Sequence, residues 1–315
     1  MARYGLVVDS PCDMPADFLA KHNVIILPVA IHIDGETLVD DRSPELVTRF
    51  IGEKFYERSH SAVSEPYTSE QVQELFLNRL VLEYDTVFCM TVMASRSGIF
   101  ANAQKASFAI LNKYRAVREA AGIKGAFMMR VIDTQTVFAA QGVTLYAATQ
   151  LIAQNHTVGE IRERLDYIVQ NTHGYLLPRD LFYLRERTRA RGDRSVSLVA
   201  AGLGTMLDIK PILRAYRGET GPVGKARGFD QGAQKLFDYA RERVLAGLLV
   251  PAICISYGGD LAELWRLPGT AELRQACLDQ GVEMMVSPMS VSGMVNIGVG
   301  GLALGFAAPD HKLPF

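Results

Sequence analysis

The sequence predicts an α/β protein of two domains: a parallel-sheet α/β domain over residues 1–157, then an α/β domain with a mixed sheet over residues 158–315. Three observations predict it. Apolar runs of strand length alternate with stretches of helical spacing through the first half, the pattern of βαβ units. The pattern restarts at Thr157-Val158-Gly159-Glu160, a capping box with Thr157 as N-cap and Glu160 at N3. The length, 315 residues, is long for one hydrophobic core and comfortable for two.

The elements follow in order. Tyr4 to Val8 is an apolar run ending in Asp9-Ser10, a buried strand, and Asp13-Met14-Pro15 opens a helix that runs to about Lys21. Val24 to Ile33 is a second run, stopped by the hairpin-type pair Asp34-Gly35. Residues 44–55 and 68–83 carry helical spacing, with Leu46, Phe50, Ile51 and Phe55 on one face of the first. Strand 85–92, helix 97–113, strand 126–132 and helix 135–154 complete the first domain. After the capping box come strand 173–177, helix 179–187, an arginine-rich stretch 185–194 and helix 196–206. The segment Ile209-Lys210-Pro211-Ile212 and short hairpin-like strands through Val223 follow. Helix 229–247, strand 250–257, helix 261–280, strand 282–286 and a glycine-rich strand 298–306 finish the chain.

Composition narrows the function classes. A net charge of −1 gives no overall attraction to nucleic acid or an acidic membrane. Cys12, Cys89, Cys254 and Cys277 lie far apart without metal-ligand spacing, and no metal site is expected. Cys89 and Cys254 sit inside apolar runs and read as buried thiols of a reducing compartment. The N-terminus reads as a strand rather than a leader, and no apolar run reaches membrane-spanning length, so a cytoplasmic protein without stable membrane insertion is expected.

Several segments compete as sites. Gly202-Leu203-Gly204 and Gly298-Val299-Gly300-Gly301 fail the dinucleotide fingerprint, and no phosphate-loop motif is present, so no cofactor is expected. Asp9-Ser10 falls at the carboxyl end of the first strand, where open α/β sheets bind ligands, but an Asx-type turn explains it equally. Ser95-Arg96-Ser97-Gly98 lies where strand gives way to helix. A helix start offers unpaired N–H groups, a serine hydroxyl and, at Gly98, close backbone approach, which together suit an anion; a plain helix cap is the alternative. Ser64-Glu65-Pro66 reads as a loop between helices, with His60 on the surface beside it. Residues 185–194 are either an anion patch or a solvated helix face. No serine has a visible activating base, so no catalytic residue is assigned. An enzyme using Ser97 or Asp9, or an interaction module acting through 185–194, remains the competing class.

Taken in order, VVDSPCDMP, Ser64-Glu65-Pro66, SRSGIF at 95–100 and VIDTQTVFAAQG at 131–142 resemble the DegV family. LFYLRERTRARG at 181–192, IKPIL at 209–213, KARG at 225–228 and NIGVGGLALGF extend the resemblance over nearly the whole chain. It implies a two-domain α/β fold with a long-chain fatty acid between the domains. It also implies a carrier that presents the acid to a separate ATP-dependent fatty acid kinase subunit, which makes the acyl phosphate. By position, Ser97 and Gly98 match the family's carboxylate-holding Ser-Gly. Ser64 matches the serine of its Thr-Ser-x-Pro, Arg227 the arginine near the head group, and Asp9-Ser10 the first-strand pair. Val63, Ile99 and Asn296 stand where threonine, threonine and histidine are usual, and Arg187-Thr188 replaces Gly-Gly. Asn296 can hydrogen-bond a head group without carrying charge, and Arg96 is the expected compensating contact. Helices 97–113 and 135–154 are candidate walls of the tail slot or equally ordinary core; Phe138, Ala139, Ala140 and Leu145 are the candidate lining residues, and for each of them a core position is the stronger reading.

Overall fold

The structure, a computed structural model, describes residues 3–190 and 208–315. The arginine-rich segment beyond Ala190, helix 196–206 and Gly202-Leu203-Gly204 therefore lie outside the described residues.

The first half is built on β1 (Tyr4–Asp9), β2 (Ile25–Leu27), β6 (Thr86–Thr91) and β7 (Met128–Asp133), in the order β2-β1-β6-β7 and all parallel. β6 is buried along its whole length and β1 from Gly5 on, which is why their sequences read as continuous apolar runs. The run 24–33 is not one strand. Pro28, with no N–H to give a ladder, divides it into β2 and β3 (Val29–Ile33), which join different sheets. β3 pairs antiparallel with β4 (Glu36–Asp40) across Asp34-Gly35, where both residues have positive φ, as a two-residue hairpin of this type requires. On its other side β3 pairs with β5 (Val63–Pro66). Ser64 thus lies on an edge strand, a correction to the loop expected from its turn-like composition.

Helices α1 (Ala16–Lys21), α2 (Pro44–Gly52), α3 (Ser69–Leu75), α4 (Ile99–Ala109) and α5 (Tyr114–Ala120) connect these strands. A 3-10 turn over Phe55–Ser61 leads into β5. The centre of the molecule is α6 (Ala139–Ala153), with twelve of its fifteen residues buried. A helix apolar all round has no solvent face and must be covered on every side. α6 packs on β1 and β6 of the parallel sheet, and on three strands of the second sheet.

The second sheet runs β10-β9-β8-β13-β11-β12, with only β11 and β12 parallel. Its strands are β8 (Thr172–Leu177), β9 (Ile209–Tyr216), β10 (Glu219–Arg227), β11 (Ala252–Tyr257), β12 (Glu283–Pro288) and β13 (Leu302–Ala307). The expected short strands through Val223 are one long hairpin, β9–β10. α7 (Val158–Gln170) opens with the capping box as expected, and α8 (Leu181–Ala190) follows β8. α9 (Phe229–Ala246) and α11 (Thr270–Gln280) cover the outer face of the sheet, and the expected helix 261–280 is broken after α10 (Leu261–Leu264), at Pro268-Gly269. The glycine-rich terminus explains itself at Gly305: a Cβ there would fall 2.2 Å from the Ala140 Cα, so only glycine lets α6 cross β13 at this depth. A short helix not expected from the sequence, α12 (Val291–Ile297), precedes it.

No helix among the described residues is long and apolar enough to cross a membrane.

Candidate functional site

A cavity of about 300 Å³ lies beyond the carboxyl ends of β1 and β6, lined by β3 and β5 of the small sheet and by β8, β9 and β10 of the mixed sheet. Its apolar wall is contributed by both halves: Val29, Val92, Val137 and Phe138 from one, and Leu176, Leu184 and Leu213 from the other. Phe138, the residue before α6, has φ 53° and ψ −129°, a conformation costly for an aromatic residue and retained here at the cavity wall. Of the candidate slot residues only Phe138 lines it; Ala139, Ala140 and Leu145 are core.

Several polar side chains also line the cavity. β6 delivers the chain at Val92 to a tight loop that ends in Ser97-Gly98, and α4 starts at Ile99. Ser97 Oγ accepts from Ile99 N at 3.3 Å, and Ser95 Oγ donates to the Gly218 carbonyl at 2.7 Å, tying the loop to the β9–β10 turn. Gly98 lines the cavity, and a Cβ on it would meet no described atom within 4 Å. Ser64 reaches the same cavity from β5. Alternation along the strand turns Val63 outward, 62% exposed, so the threonine-to-valine departure does not touch the wall. Ile99 is fully buried and belongs to the core.

α12 supplies Ser292 and Asn296. Asn296 Nδ2 donates to the Ser292 carbonyl at 2.7 Å, which fixes the amide, and Ser292 N donates to Asp40 Oδ2 at 2.8 Å. The hydroxyls of Ser64 and Ser292 are buried with no hydrogen-bond partner among the described residues. Arg96 lines the cavity from the loop before α4, and Arg187 and Thr188 line it from α8. The described wall thus has two arginines and no aspartate, glutamate or histidine. Buried hydroxyls without partners among the described residues, on a described wall that carries two arginines and no acid, suit an anion that accepts hydrogen bonds.

Three expected contacts are not on this wall. Arg227 is exposed at the end of β10, where alternation buries Ala226 and turns Arg227 to solvent. Asp9 is buried, but its carboxylate accepts from Val92 N at 3.1 and 3.2 Å and from Gln141 Nε2 at 2.6 Å, joining β1, the end of β6 and α6. Ser10 Oγ accepts from Val29 N at 3.1 Å and donates to the Asp40 carbonyl. The first-strand pair therefore braces the loops that carry the cavity.

Burial pushes the Asp9 carboxyl up to about 6, against the lowering effect of Gln141 and Val92. The folded protein keeps this proton at pH values where the unfolded chain has lost it. The stability it contributes is full near pH 4 and lost as pH rises through 6. Asp9→Asn removes the titration. The stability difference between variant and wild type, followed by denaturant unfolding from pH 4 to 7, should shift in the variant's favour by up to about 3 kcal/mol. A difference independent of pH would contradict this.

Sequence reasoning missed Ser292 and undervalued Arg187. Nothing in VSGMVN signals a seven-residue helix that places its serine on a cavity. Arg187 was visible as a substitution within the arginine-rich stretch, where a solvated face was the simpler reading.

A parallel sheet and a mixed sheet, with a small antiparallel sheet beside them and a cavity lined by apolar, hydroxyl and arginine side chains, define a two-domain α/β protein with a ligand-sized cavity. Residues 3–309 match the family described as "Uncharacterised protein, DegV family". A DegV domain-containing protein of Xanthomonas axonopodis pv. citri is 50% identical over 309 residues, with 98% of each chain covered. The chain belongs to the DegV family. Among solved structures, it is similar to a stearic acid-binding protein from Eubacterium ventriosum, with a TM-score of 0.77, 19% identity, and 96% of this chain and 98% of that one covered. It is also similar to the Streptococcus pneumoniae fatty acid kinase B3 protein loaded with linoleic acid, with a TM-score of 0.71, 18% identity, and 97% and 99% covered.

Proposed function

We propose that this protein binds a long-chain fatty acid. Its carboxylate rests at the start of α4 by Ser97 and Gly98, within reach of Ser64, Ser292, Asn296 and Arg96. Its tail lies along Phe138, Leu176 and Leu213. The observation that carries the reading is the pair of buried hydroxyls, Ser64 and Ser292, with no hydrogen-bond partner among the described residues, on a described wall with two arginines and no acid. A carboxylate is costly to bury unless donors surround it, and this wall supplies them. Each tail methylene removed from water contributes about 0.8 kcal/mol, so a dozen give about 10 kcal/mol before ordering costs. The solved relatives described as fatty-acid-bound support the ligand class.

We further propose carriage rather than catalysis, with presentation of the bound acid to a separate ATP-dependent kinase subunit. The described wall offers hydroxyls, an amide and guanidinium groups, none suited to take a proton from Ser97 at neutral pH. The similarity to the Streptococcus pneumoniae protein supports the kinase partner.

The test is organic extraction of the purified, denatured protein followed by mass spectrometry. A free long-chain fatty acid approaching one per chain is expected. Absence of lipid, or recovery of only uncharged lipid, would contradict the reading.

A further inference from the structure

Arg187 is the more deeply buried of the two arginines on the described wall. It comes from α8, lines the cavity, and is 2% exposed. Its Nη1 donates to the carbonyls of His60 and Ala62, at the end of the 3-10 turn that leads into β5. The guanidinium is thereby fixed two residues from Ser64, one of the two wall hydroxyls without a partner among the described residues. Arg96, the other cation of the described wall, is only half-buried.

That difference in burial matters. A charge in contact with water is screened, whereas one enclosed by protein interacts several times more strongly at the same distance. A guanidinium already anchored to backbone loses little side-chain freedom when it meets an anion. Its neighbour Thr188 lines the same cavity, so α8 presents two consecutive polar side chains there.

We propose that Arg187 is a specificity-determining residue of this cavity: its buried, backbone-anchored guanidinium holds the ligand's anionic head group beside Ser64 and selects ionised lipids over uncharged lipids of the same length. This rests on the fatty-acid reading above and adds the residue that enforces the charge requirement.

The experiment measures displacement of a fluorescent fatty acid by palmitic acid and by 1-hexadecanol, on wild type, Arg187→Gln, Arg187→Lys, Arg187→Met and Arg96→Gln. Wild type should prefer the acid. Arg187→Gln should reduce that preference by about ten- to a hundredfold, chiefly through weaker acid binding, because a charge-assisted hydrogen bond is lost. Arg96→Gln should reduce it less. Circular dichroism confirms the fold of each variant. A folded Arg187→Gln with the full wild-type preference overturns the proposal. Arg187→Lys keeps the charge and should keep more of the preference than Arg187→Gln; if Arg187→Gln does not fold, Arg187→Met, which keeps the apolar stem and removes the charge, decides: a measurable fall in preference supports the proposal and an unchanged preference overturns it. If wild type binds the two lipids equally, the selectivity proposal fails while lipid binding stands. If wild type binds neither, the fatty-acid reading itself has failed.

Discussion

Ser97→Asp is expected to fold as stably as wild type and to lose fatty-acid affinity by about a hundredfold or more. Ser97 accepts from Ile99 N, and an aspartate can accept the same bond. A negative charge at the start of α4 also favours the helix, by about 0.3–1 kcal/mol. Nothing in the local fold therefore opposes the substitution. The ligand's carboxylate would meet a like charge instead of a hydroxyl donor. Two charges about 4 Å apart repel by about 4 kcal/mol at an effective dielectric constant of 20, nearly three decades in affinity, of which local rearrangement recovers part. Ser97→Asn, neutral and of similar size to aspartate, should lose far less. If Ser97 serves only to cap the helix, Ser97→Asp will bind fatty acid as wild type does. Titration of both variants with palmitic acid, alongside thermal unfolding, separates the two accounts.

Asp13→Ala is expected to cost about 3–5 kcal/mol of stability. Asp13 is fully buried and ion-paired with Arg42 at 2.9 Å. It also accepts from Ser256 Oγ at 2.6 Å in β11 and from Ser290 N at 2.9 Å just before α12. Arg42 continues the bridge to the carbonyls of Met14 and Pro288, at 3.3 and 3.2 Å. Burial still raises the Asp13 carboxyl above its ordinary range, ahead of the lowering effect of Arg42, so the pair contributes little as a net attraction. Its removal is costly because the partner is left behind: a nearly buried guanidinium, a hydroxyl and a backbone N–H lose their acceptor together. Denaturant unfolding should show the loss. In a cycle with Arg42→Met the double variant should lose less than the two single losses added, with a coupling of about 1–3 kcal/mol. Purely additive losses would contradict the bridge. Because Ser290 opens the helix that carries Ser292 and Asn296, the same variant should also weaken ligand binding.

The sheet-forming parts of the fold were legible because each satisfied a local rule. β1 and β6 are apolar runs, the Asp34-Gly35 pair takes the positive φ values its hairpin requires, and Thr157 and Glu160 form their capping box. The failures were of another kind. Val24 to Ile33 is apolar throughout, so periodicity could not show that Pro28 sends its halves to different sheets. Ser64 lies on a four-residue strand that exists by pairing with β3, a tertiary fact. α12 is too short for a helical period to emerge.

The site divides along the same line. The position of Ser97 and Gly98, on the cavity at a strand-to-helix junction, was legible because such a junction is a local feature. Asp9 and Ser10 fell at the strand end where ligands bind, but only the folded loops show that Val92, Gln141 and Val29 already occupy them. Arg227 depended on which way a residue at the end of β10 faces. Arg187 depended on α8 leaning over the turn before β5, and charge alone suggested the surface.

The central claim is that this cavity seats a fatty-acid carboxylate at Ser97 and Gly98. The most direct measurement is a crystal structure of the protein grown with excess palmitic acid. A continuous tube of density should run past Phe138 and Leu213, with its carboxylate within about 2.6–3.2 Å of Ser97 or the backbone at Gly98. Density with the head group away from Ser97 and Gly98, or a cavity that stays without ligand at saturating palmitic acid, would contradict it.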